Sequence, residues 1–344
     1  MKELAVWTRY GDLAGSSRLR FMLYEKILRA GGWEPHFHHF FDNAYVRSLY
    51  DGKGKSLKAL FAGFSRRRKE LKRLPPGVPK FIEYELFPYL PYFYEKGFSA
   101  ASRYVLNFDD AVDLRYRRLP LLRGKYPRLL SNAAGIIVAN DELLERYSRY
   151  NENIIKIPTV PPPLPKTAAP DKFDRFTVAW IGTPVTYPFL QELTPVLQLA
   201  AQSVEFEVLV IARKELPPLP GVKCRCVDWS AENEHRLLQQ CHIGIMPLND
   251  TPFARGKSAY KLIQYLQSGL PAIASPVGEN NHVISENRTG FLARNAAEWI
   301  SALQHLSQLE NRRAMAMHIA ARAQEFSLEK WGETLCGFLH AVLK

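Results

Sequence analysis

Residues 255–284 read RGKSAYKLIQYLQSGLPAIASPVGENNHVI and decide the fold class. A basic start containing Gly256 leads into apolar residues at helical spacing, and Gly269 follows them as a glycine commonly follows a helix. We predict a helix over 258–269 with Ser258 as its N-cap, followed by a short strand at 271–275. A helix that leads directly into a short apolar strand is typical of a parallel α/β sheet.

The same alternation extends along the chain in both directions. Short apolar runs predict further strands at 3–8, 36–40, 80–87, 103–109, 135–140, 154–159, 175–182, 206–212, 222–229, 243–248 and 290–293. Prolines at 161–163, 165 and 170 disfavour both helix and sheet, so they indicate a linker between two sets of strands. We predict an N-terminal Rossmann-like domain over 1–160, a linker over 161–174, a C-terminal Rossmann-like domain over 175–325, and a C-terminal helix over 326–344 that packs back on the first domain.

Composition narrows the class of protein. The chain has 344 residues, of which 47% are hydrophobic and 23% charged, so two globular cores are expected and extended disorder is not. No stretch approaches the roughly 18 apolar residues of a membrane span, and the first apolar run is too short for a signal peptide. None of the four cysteines has zinc-site spacing. We therefore expect a cytoplasmic protein with reduced thiols.

The positive charge is concentrated in the first half. Residues 1–160 hold 28 basic and 17 acidic side chains, a net charge of +11, whereas the remainder carries +1. Residues 56–74, SLKALFAGFSRRRKELKRL, form a basic amphipathic helix pattern with Leu57, Phe61 and Phe64 on its apolar face. An anionic membrane surface, at the inner face of the membrane, is the partner this pattern favours. A solvated structural helix is the alternative, and nucleic acid is less favoured because no aromatic stacking motif accompanies the charge.

The start of the 258–269 helix is a candidate phosphate site. Helix N-termini favour anions, and Lys257 and Lys261 add full charges, with Arg255 as a third. The spacing is not that of a P-loop. Spacing alone fits an ordinary capped helix with solvated lysines equally well.

The motif resembles the signature region of the GT-B glycosyltransferases, specifically the retaining family-4 branch. KLIQYLQSGLPAIASPVG (261–278) carries the likeness, supported by VAWIGTP (178–184), WSAENEHRLLQQCHIGIMPLND (229–250) and NRTGFLARNAAEWISAL (287–303). GDLAGSSRLR (11–20), IEYELFP (82–88) and FDDAV (108–112) resemble the acceptor-side loops more weakly. The resemblance implies two Rossmann-like domains facing a cleft, with the donor bound mainly by the second domain and the acceptor by the first.

The resemblance also implies roles for residues of the second half. The predicted donor diphosphate-binding residues are Arg213, Arg255, Gly256, Lys257, Ser258 and Lys261. Gln264 is the predicted nucleoside contact, and the predicted sugar-binding residues are Gly278, Glu279, Asn280 and Asn281. The family commonly has two glutamates with seven residues between them, and by register Gly256 and Gln264 replace them here. A glutamine can still hydrogen-bond a ribose, whereas a glycine offers the sugar no side chain.

The remaining candidates are loops and one acidic pair. Gly11, Gly15, Ser16, Arg18, Gly182 and Thr183 are predicted to lie on loops that face the cleft. Asp109 and Asp110 end a predicted strand and are candidate catalytic carboxylates, although a helix cap and a buried structural acid are the alternative interpretation. No histidine or cysteine cluster indicates a metal site.

These features predict a glycosyltransferase. It would move a sugar from a nucleotide-sugar to a glycan or lipid-linked acceptor with retention of configuration, using neither metal nor cofactor, since the nucleotide-sugar is itself a substrate. The loss of both glutamates keeps open a non-catalytic protein that binds nucleotides or sugar phosphates on the same fold. A nucleic-acid-binding protein is a third, less favoured hypothesis.

Overall fold

A computed structural model describes residues 1–54, 56–165, 168–213 and 215–344 of the chain. These residues form two compact units. The first comprises Met1–Pro162, Gly256–Ser258 and Leu328–Lys344, and the second comprises Pro163–Arg255 and Ala259–Ser327. Lys166 and Thr167, in the predicted linker, lie outside the described residues.

The first unit is built on a six-stranded parallel sheet. Its strands are β1 (Lys2–Thr8), β2 (Trp33–His39), β3 (Lys80–Glu83), β4 (Tyr104–Phe108), β5 (Gly135–Val138) and β6 (Ile154–Lys156). Their order is β2-β1-β3-β4-β5-β6, so the direction of winding reverses between β1 and β3. In such sheets the crevice at the carboxyl ends of the strands beside the reversal is where ligands bind.

The second unit contains another six-stranded parallel sheet. Its strands are β7 (Thr177–Ile181), β8 (Glu207–Ala212), β9 (Cys224–Asp228), β10 (Ile243–Met246), β11 (Ala272–Ala274) and β12 (Gly290–Leu292). Their order, β12-β11-β10-β7-β8-β9, is that of the Rossmann fold, with the reversal between β7 and β10. The two parallel sheets confirm the predicted α/β fold class.

Helices cover both sheets. Those that follow the strands of the first unit are α1 (Gly15–Arg20), α2 (Glu25–Ala30), α3 (Asn43–Tyr50), α4 (Leu57–Arg73), α5 (Phe93–Ala100), α6 (Lys125–Asn132) and α7 (Asp141–Ser148). The second unit has α8 (Tyr187–Glu192), α9 (Thr194–Ala200), α10 (Glu234–Gln240), α11 (Pro252–Arg255), α12 (Tyr260–Gln267), α13 (Asn280–Val283), α14 (Ala296–Ser307) and α15 (Leu309–Gln324). The last helix, α16 (Leu328–Val342), belongs to the first unit. Among the residues described, we find no helix with the length and apolarity needed to cross a membrane.

The last helix, α16, packs against the core of the first unit. The Cys336 thiol lies where a Cβ on Gly31 would be, and His340 hydrogen-bonds the Gly31 carbonyl at 2.7 Å while its ring stacks on Trp33. The Phe338 ring packs against Gly135, at the start of β5. Residues distant in sequence therefore complete the core around β2 and β5.

The inner face of α4 differs from the sequence prediction. Gly63, Arg67 and Leu71, which recur every four residues, are buried. The Arg67 guanidinium, one of the charges of the basic amphipathic pattern, is 1% exposed and donates to the carbonyls of Thr8, His38 and Leu86. The helix is rotated because a glycine at 63 lets its backbone approach the Phe40 carbonyl, which a Cβ would meet at 2.8 Å. Leu57 and Phe61 are consequently on the solvent side.

Candidate functional site

In the second unit, α12 is fixed against the point where the winding reverses. The Tyr265 hydroxyl accepts a hydrogen bond from the Ile181 N–H at 3.3 Å and donates to the Ile245 carbonyl at 3.1 Å, so it joins β7 to β10. Gly244 makes this approach possible, because a Cβ there would lie 2.3 Å from the Tyr265 ring. The first turn of α12 is thereby held beside the carboxyl end of β7.

One lysine of α12 lies over that strand end. The Lys261 ammonium is 4.2 Å from the centre of the Trp180 ring and 3.4 Å from the Thr186 hydroxyl. A Cβ on Gly182 would come within 2.8 Å of the ammonium and 2.5 Å of the indole, so only glycine leaves room for both. Thr183 is exposed and forms a turn with Thr186. The predicted residues Gly182 and Lys261 are thus brought together, on an aromatic ring that the sequence prediction did not include.

The start of α12 is built differently from the prediction. The helix begins at Tyr260, its N-cap is Ala259, and no side chain caps it, so Ser258 is not the N-cap. Ala259 is buried and has left-handed backbone angles, φ 50° and ψ 25°, which cost a residue with a Cβ on the order of 1–2 kcal/mol. Helix N-termini favour anions, so this first turn stays a candidate anion-binding end.

The candidate cation Arg213 follows β8 at the same edge of the sheet. Its guanidinium stacks at 4.6 Å over the ring of Trp229, which follows β9. Trp229 is itself tethered through its indole N–H to Glu234 at 2.5 Å. Lys214, the next residue along, lies outside the described part of the chain.

The predicted sugar loop and the predicted diphosphate loop meet within the second unit. Gly278 has φ 53°, and a Cβ there would lie 2.3 Å from the Arg255 carbonyl, so the two backbones are in direct contact. The Arg255 guanidinium pairs with both carboxylate oxygens of Asp250, at 2.5 and 2.8 Å. A phosphate bound by Arg255 would therefore share it with Asp250.

The polar residues after Gly278 have different environments. Glu279 is buried and precedes α13. Asn280 is also buried, and its amide nitrogen donates to the Ser275 carbonyl at 3.0 Å, which ties the loop to the end of β11. Asn281 is exposed and donates to the Gly278 carbonyl at 3.2 Å. Contact between any of these side chains and a sugar stays a prediction.

Residues 256–258 group with the first unit, although the sequence placed them in the second domain. The Gly256 carbonyl accepts a hydrogen bond from the Asn140 amide at 2.8 Å, and a Cβ on Gly256 would lie 2.6 Å from that of Ala111. Asn140 is fully buried and also caps α7. Gly256 is thus required for close packing, a role that the glutamate common in the resembling family could not fill.

Candidate residues of the first unit gather beside the reversal between β1 and β3. The buried Glu83 carboxylate, at the end of β3, accepts from the Ser17 hydroxyl at 2.6 Å and from the Arg9 N–H at 2.7 Å. Burial raises the pKa of Glu83. Arg18 donates to the Asp12 carbonyl at 3.2 Å, and a Cβ on Gly11 would collide with Asn43. Gly15 and Ser16 are half-buried at the start of α1.

The predicted carboxylate pair lies at the neighbouring strand end. Asp109 accepts a hydrogen bond from the Tyr84 hydroxyl, and Tyr84 has left-handed backbone angles with φ 61°. Burial, reinforced by the adjacent Asp110 carboxylate, raises the pKa of Asp109 to about 7. A carboxyl group with such a pKa can either hold or accept a proton near neutral pH.

A buried ionic network underlies this edge, and the sequence prediction missed it. Glu85 binds Arg9 at 3.2 Å and Lys125 at 2.6 Å, and Lys125 also pairs with Glu95 at 2.5 Å. The Tyr116 hydroxyl donates to Glu85 at 2.8 Å. The two cations balance the two carboxylates, which is what allows these charges to be buried.

The second unit contains a match to a known protein family. Residues 187–308 match the family model described as Glycosyl transferases group 1, a span that includes α12 with Lys261 and Gln264. No curated protein matches the chain. The family match in the second unit and the two six-stranded parallel sheets together support a glycosyltransferase of the GT-B fold.

Solved structures resemble this glycosyltransferase over its whole length at low identity. HepE from Anabaena, solved with UDP and glucose, aligns with a TM-score of 0.70 at 12% identity, covering 99% of this chain and 100% of its own. Sucrose-phosphate synthase from Thermosynechococcus elongatus aligns with a TM-score of 0.69 at 14% identity, covering 99% and 98%. WaaB, a lipopolysaccharide outer core galactosyltransferase, aligns with a TM-score of 0.62 at 9% identity, covering 99% of each chain.

The glycosyltransferase lacks both carboxylates that its resemblance predicts on the donor side. Gln264 lies one turn after Lys261 on α12, so both project from the same face, and it is buried. The carboxyl edge of the second sheet instead contains two cation–π contacts, in which Lys261 lies over the Trp180 ring and Arg213 over the Trp229 ring. Such an edge can stabilise a negatively charged leaving group.

Proposed function

We propose that this glycosyltransferase transfers a sugar from a nucleotide-sugar to a glycan or lipid-linked acceptor with retention of configuration and without metal. The carbon–oxygen bond to the nucleoside diphosphate breaks, and the acceptor oxygen bonds to the anomeric carbon on the same face. The acceptor proton passes to the leaving phosphate. Lys261, the first turn of α12 and Arg213 would stabilise the developing diphosphate charge.

The observation that carries this proposal is the position of Lys261. Its ammonium lies over the Trp180 ring with Gly182 providing the space, at the carboxyl end of β7 beside the reversal. Ligands of α/β units bind at such points. The resemblance to the family assigns Lys257 and Ser258 to the diphosphate and Gln264 to the nucleoside. It assigns the sugar to Gly278, Glu279, Asn280 and Asn281.

Lys261→Met tests the diphosphate role. Hydrogen bonds to charged groups contribute about 1.5–3 kcal/mol, so calorimetric titration with UDP should give a roughly 10- to 100-fold weaker affinity. UDP is the probe because HepE was solved with it. Lys223→Met, at an exposed lysine of the same unit, should bind as the wild type does. Equal affinity of the Lys261 and Lys223 variants would place the phosphate elsewhere.

The missing glutamates favour one alternative, a protein that binds the donor without transferring its sugar. Gly256 and Gln264 occupy both positions. Incubation with UDP-glucose separates the two functions, since an active enzyme releases UDP and free or transferred glucose. Calorimetric binding of UDP-glucose without release, repeated across GDP-, ADP- and dTDP-sugars, would support the binding protein.

We also propose that the enzyme attaches to an anionic membrane surface through α4. The exposed stripe of this helix begins with Leu57 and Phe61, which are 70% and 68% exposed, and ends with Arg68, Lys69 and Lys72. Its apolar and basic residues are thus segregated along the axis, a pattern suited to an interface between lipid and water. Each basic residue near such a surface contributes on the order of 1 kcal/mol.

Vesicle co-sedimentation tests this attachment. The wild-type chain should pellet with phosphatidylglycerol vesicles, pellet little with phosphatidylcholine vesicles, and dissociate as salt rises. Replacing Arg68, Lys69 and Lys72 with glutamine should weaken pelleting, whereas glutamine at the exposed Arg236 and Arg313 of the second unit should not. Equal pelleting with both lipids, or with neither, would exclude electrostatic attachment.

A further inference from the structure

The first unit exposes its large apolar side chains at one edge of its sheet. Within the described part of the chain and apart from Met1, these are Leu57, Phe61, Tyr89, Phe93, Tyr94, Leu119 and Leu121. They come from segments that are far apart in sequence. Where exposed apolar side chains lie together, they mark an interaction surface.

Contacts within the unit place α4 at this edge. Gly63 packs on Phe40, and Arg66 donates to the Phe40 carbonyl at 2.7 Å, just beyond the carboxyl end of β2. Leu57 is six residues before Gly63 on a helix that runs toward the opposite edge. It therefore lies about 9 Å from Gly63 along the helix axis.

The loop over residues 115–123 lies at the same edge. The Tyr116 hydroxyl accepts from the Tyr89 N–H at 2.8 Å, and the two rings are 6.1 Å apart. The Arg9 guanidinium, directly after β1, lies 5.5 Å from the Tyr89 ring. The carboxyl ends of β1, β3 and β4 thus share one rim with the loop.

Buried residues and backbone hydrogen bonds hold the 115–123 loop in a conformation that exposes its tip. Tyr116, Leu122 and Lys125 are buried and anchor it at both ends. The N–H groups of Leu122 and Arg123 donate to the Leu119 carbonyl at 2.9 and 2.8 Å, which closes a turn. Leu121 is nevertheless 82% exposed at its tip. A rigid turn that presents leucine to solvent loses little conformational freedom when the leucine is buried by a partner.

The charge around the leucines identifies the partner. Residues 114–124 read LRYRRLPLLRG, with four arginines and no acidic residue, and all four arginines are exposed. Leucine between arginines matches an anionic bilayer, where the guanidinium groups reach phosphates while the leucines enter the acyl region. We propose that the 115–123 loop inserts Leu119 and Leu121 into an anionic phospholipid membrane, and that the acceptor is lipid-linked and presented at that surface.

This inference rests on the proposed membrane attachment and deepens it. α4 would supply electrostatic attraction to the membrane, which salt screens. The 115–123 loop would add hydrophobic burial of its leucines, which persists at high salt. The rim surrounds the edge that contains Asp109 and Glu83, the predicted acceptor side. A membrane at the rim brings a lipid-linked hydroxyl to that edge and leaves its apolar anchor in the bilayer.

Tryptophan quenching tests the insertion. Leu121→Trp should be quenched by phosphatidylglycerol vesicles containing doxyl-labelled lipid, after subtraction of the wild-type signal. Met317→Trp is the matched control, because Met317 is 83% exposed on α15 of the second unit, and it should show no added quenching. Binding of the wild-type chain without quenching at 121 overturns the inference and leaves the α4 attachment standing. An absence of binding overturns both.

A double variant supplies the second measurement. Leu119→Ser with Leu121→Ser should lower vesicle affinity at 0.5 M salt at least tenfold, with circular dichroism and melting unchanged because both positions are exposed. Met317→Ser should bind as the wild type does. Sedimentation velocity without lipid examines the competing occupant, a second copy of the chain. A dimer that the double variant abolishes would overturn the membrane assignment.

Discussion

Asp109 is half-buried after β4, and its pKa departs from that of a solvated aspartate. An aspartate after a strand is commonly a cap or a solvated acid, but here burial and Asp110 raise its pKa to about 7. Tyr84 holds the carboxylate in place through its hydroxyl. The proton on Asp109 is therefore linked to folding.

Asp109→Asn should change how stability depends on pH. In the unfolded chain an aspartate loses its proton near pH 4, whereas the folded state retains it until about pH 7. Raising the pH through this window deprotonates the unfolded state first, so the free energy of unfolding falls. The variant should lack this decline and exceed the wild type by on the order of 2 kcal/mol at pH 8 in urea denaturation.

Asp51→Asn, at an exposed position of the same unit, serves as the control and should retain the decline of the wild type. If Asp109→Asn follows the same pH dependence as the wild type, Asp109 does not hold its proton in the folded state.

The single residues that could be predicted are those with a short-range signal. Gly256, Lys261, Gly278 and Asp109 were identified because their neighbours in sequence carry the pattern. Trp180 could not be, since it lies 81 residues before Lys261 and reaches it only through the sheet. Left-handed angles at Ala259 were also unpredictable, because glycine or asparagine is the usual signal for them.

At the scale of elements, the strands were predicted well and the helix faces less well. All twelve strands overlap predicted apolar runs, but several predictions extended beyond the strand into the loop that forms the site. The helical segment after β1 is interrupted at Phe21, which turns into the core and packs its ring on Phe81 at 4.5 Å. Long-range packing overrode local periodicity at this helix and at α4.

Gly244→Ala should disturb α12 as an element. The new Cβ would overlap the Tyr265 ring, and overpacking of a core costs about 1–3 kcal/mol. Displacing α12 also moves Lys261, so we expect both a lower free energy of unfolding and weaker UDP binding in calorimetry. Tyr265→Leu in the same chain should restore part of the stability. Gly97→Ala, where a Cβ meets nothing within 4 Å, should leave UDP binding unchanged.

At the scale of the whole molecule, the two units have different strand orders. The first has two strands on the β1 side of its reversal and the second has three on the β7 side, so neither is a copy of the other. The chain changes unit between Pro162 and Pro163 and again between Ser327 and Leu328. The predicted boundaries at 160 and 326 rest on local signals, namely proline content and a break in the helical pattern. Gly256–Ser258 belong to the first unit because Gly256 contacts Asn140 and Ala111. These contacts join residues far apart in sequence, so the local sequence pattern does not predict them.

His340→Ala tests the attachment of α16 to the first unit. It removes the hydrogen bond to the Gly31 carbonyl and the stacking on Trp33, which together contribute about 1–3 kcal/mol. Guanidinium denaturation followed by tryptophan fluorescence should report that loss. Gly337→Ala, on the solvent side of the same helix, should instead stabilise by about 0.5–1 kcal/mol. A loss of similar size in both variants would indicate a general effect on the helix.

The position of α16 has a consequence for synthesis on the ribosome. Residues 1–162 are translated before the second unit, but the helix that covers Gly31 and Gly135 is translated after it. At about 5–20 residues per second, the nascent first unit waits roughly 10–40 s with this apolar face uncovered. During that interval the second unit is translated, so the first unit attains its native form only after the second unit has emerged. A trigger-factor-like chaperone would find its binding surface on the nascent chain at Ile27, Trp33 and the start of β5.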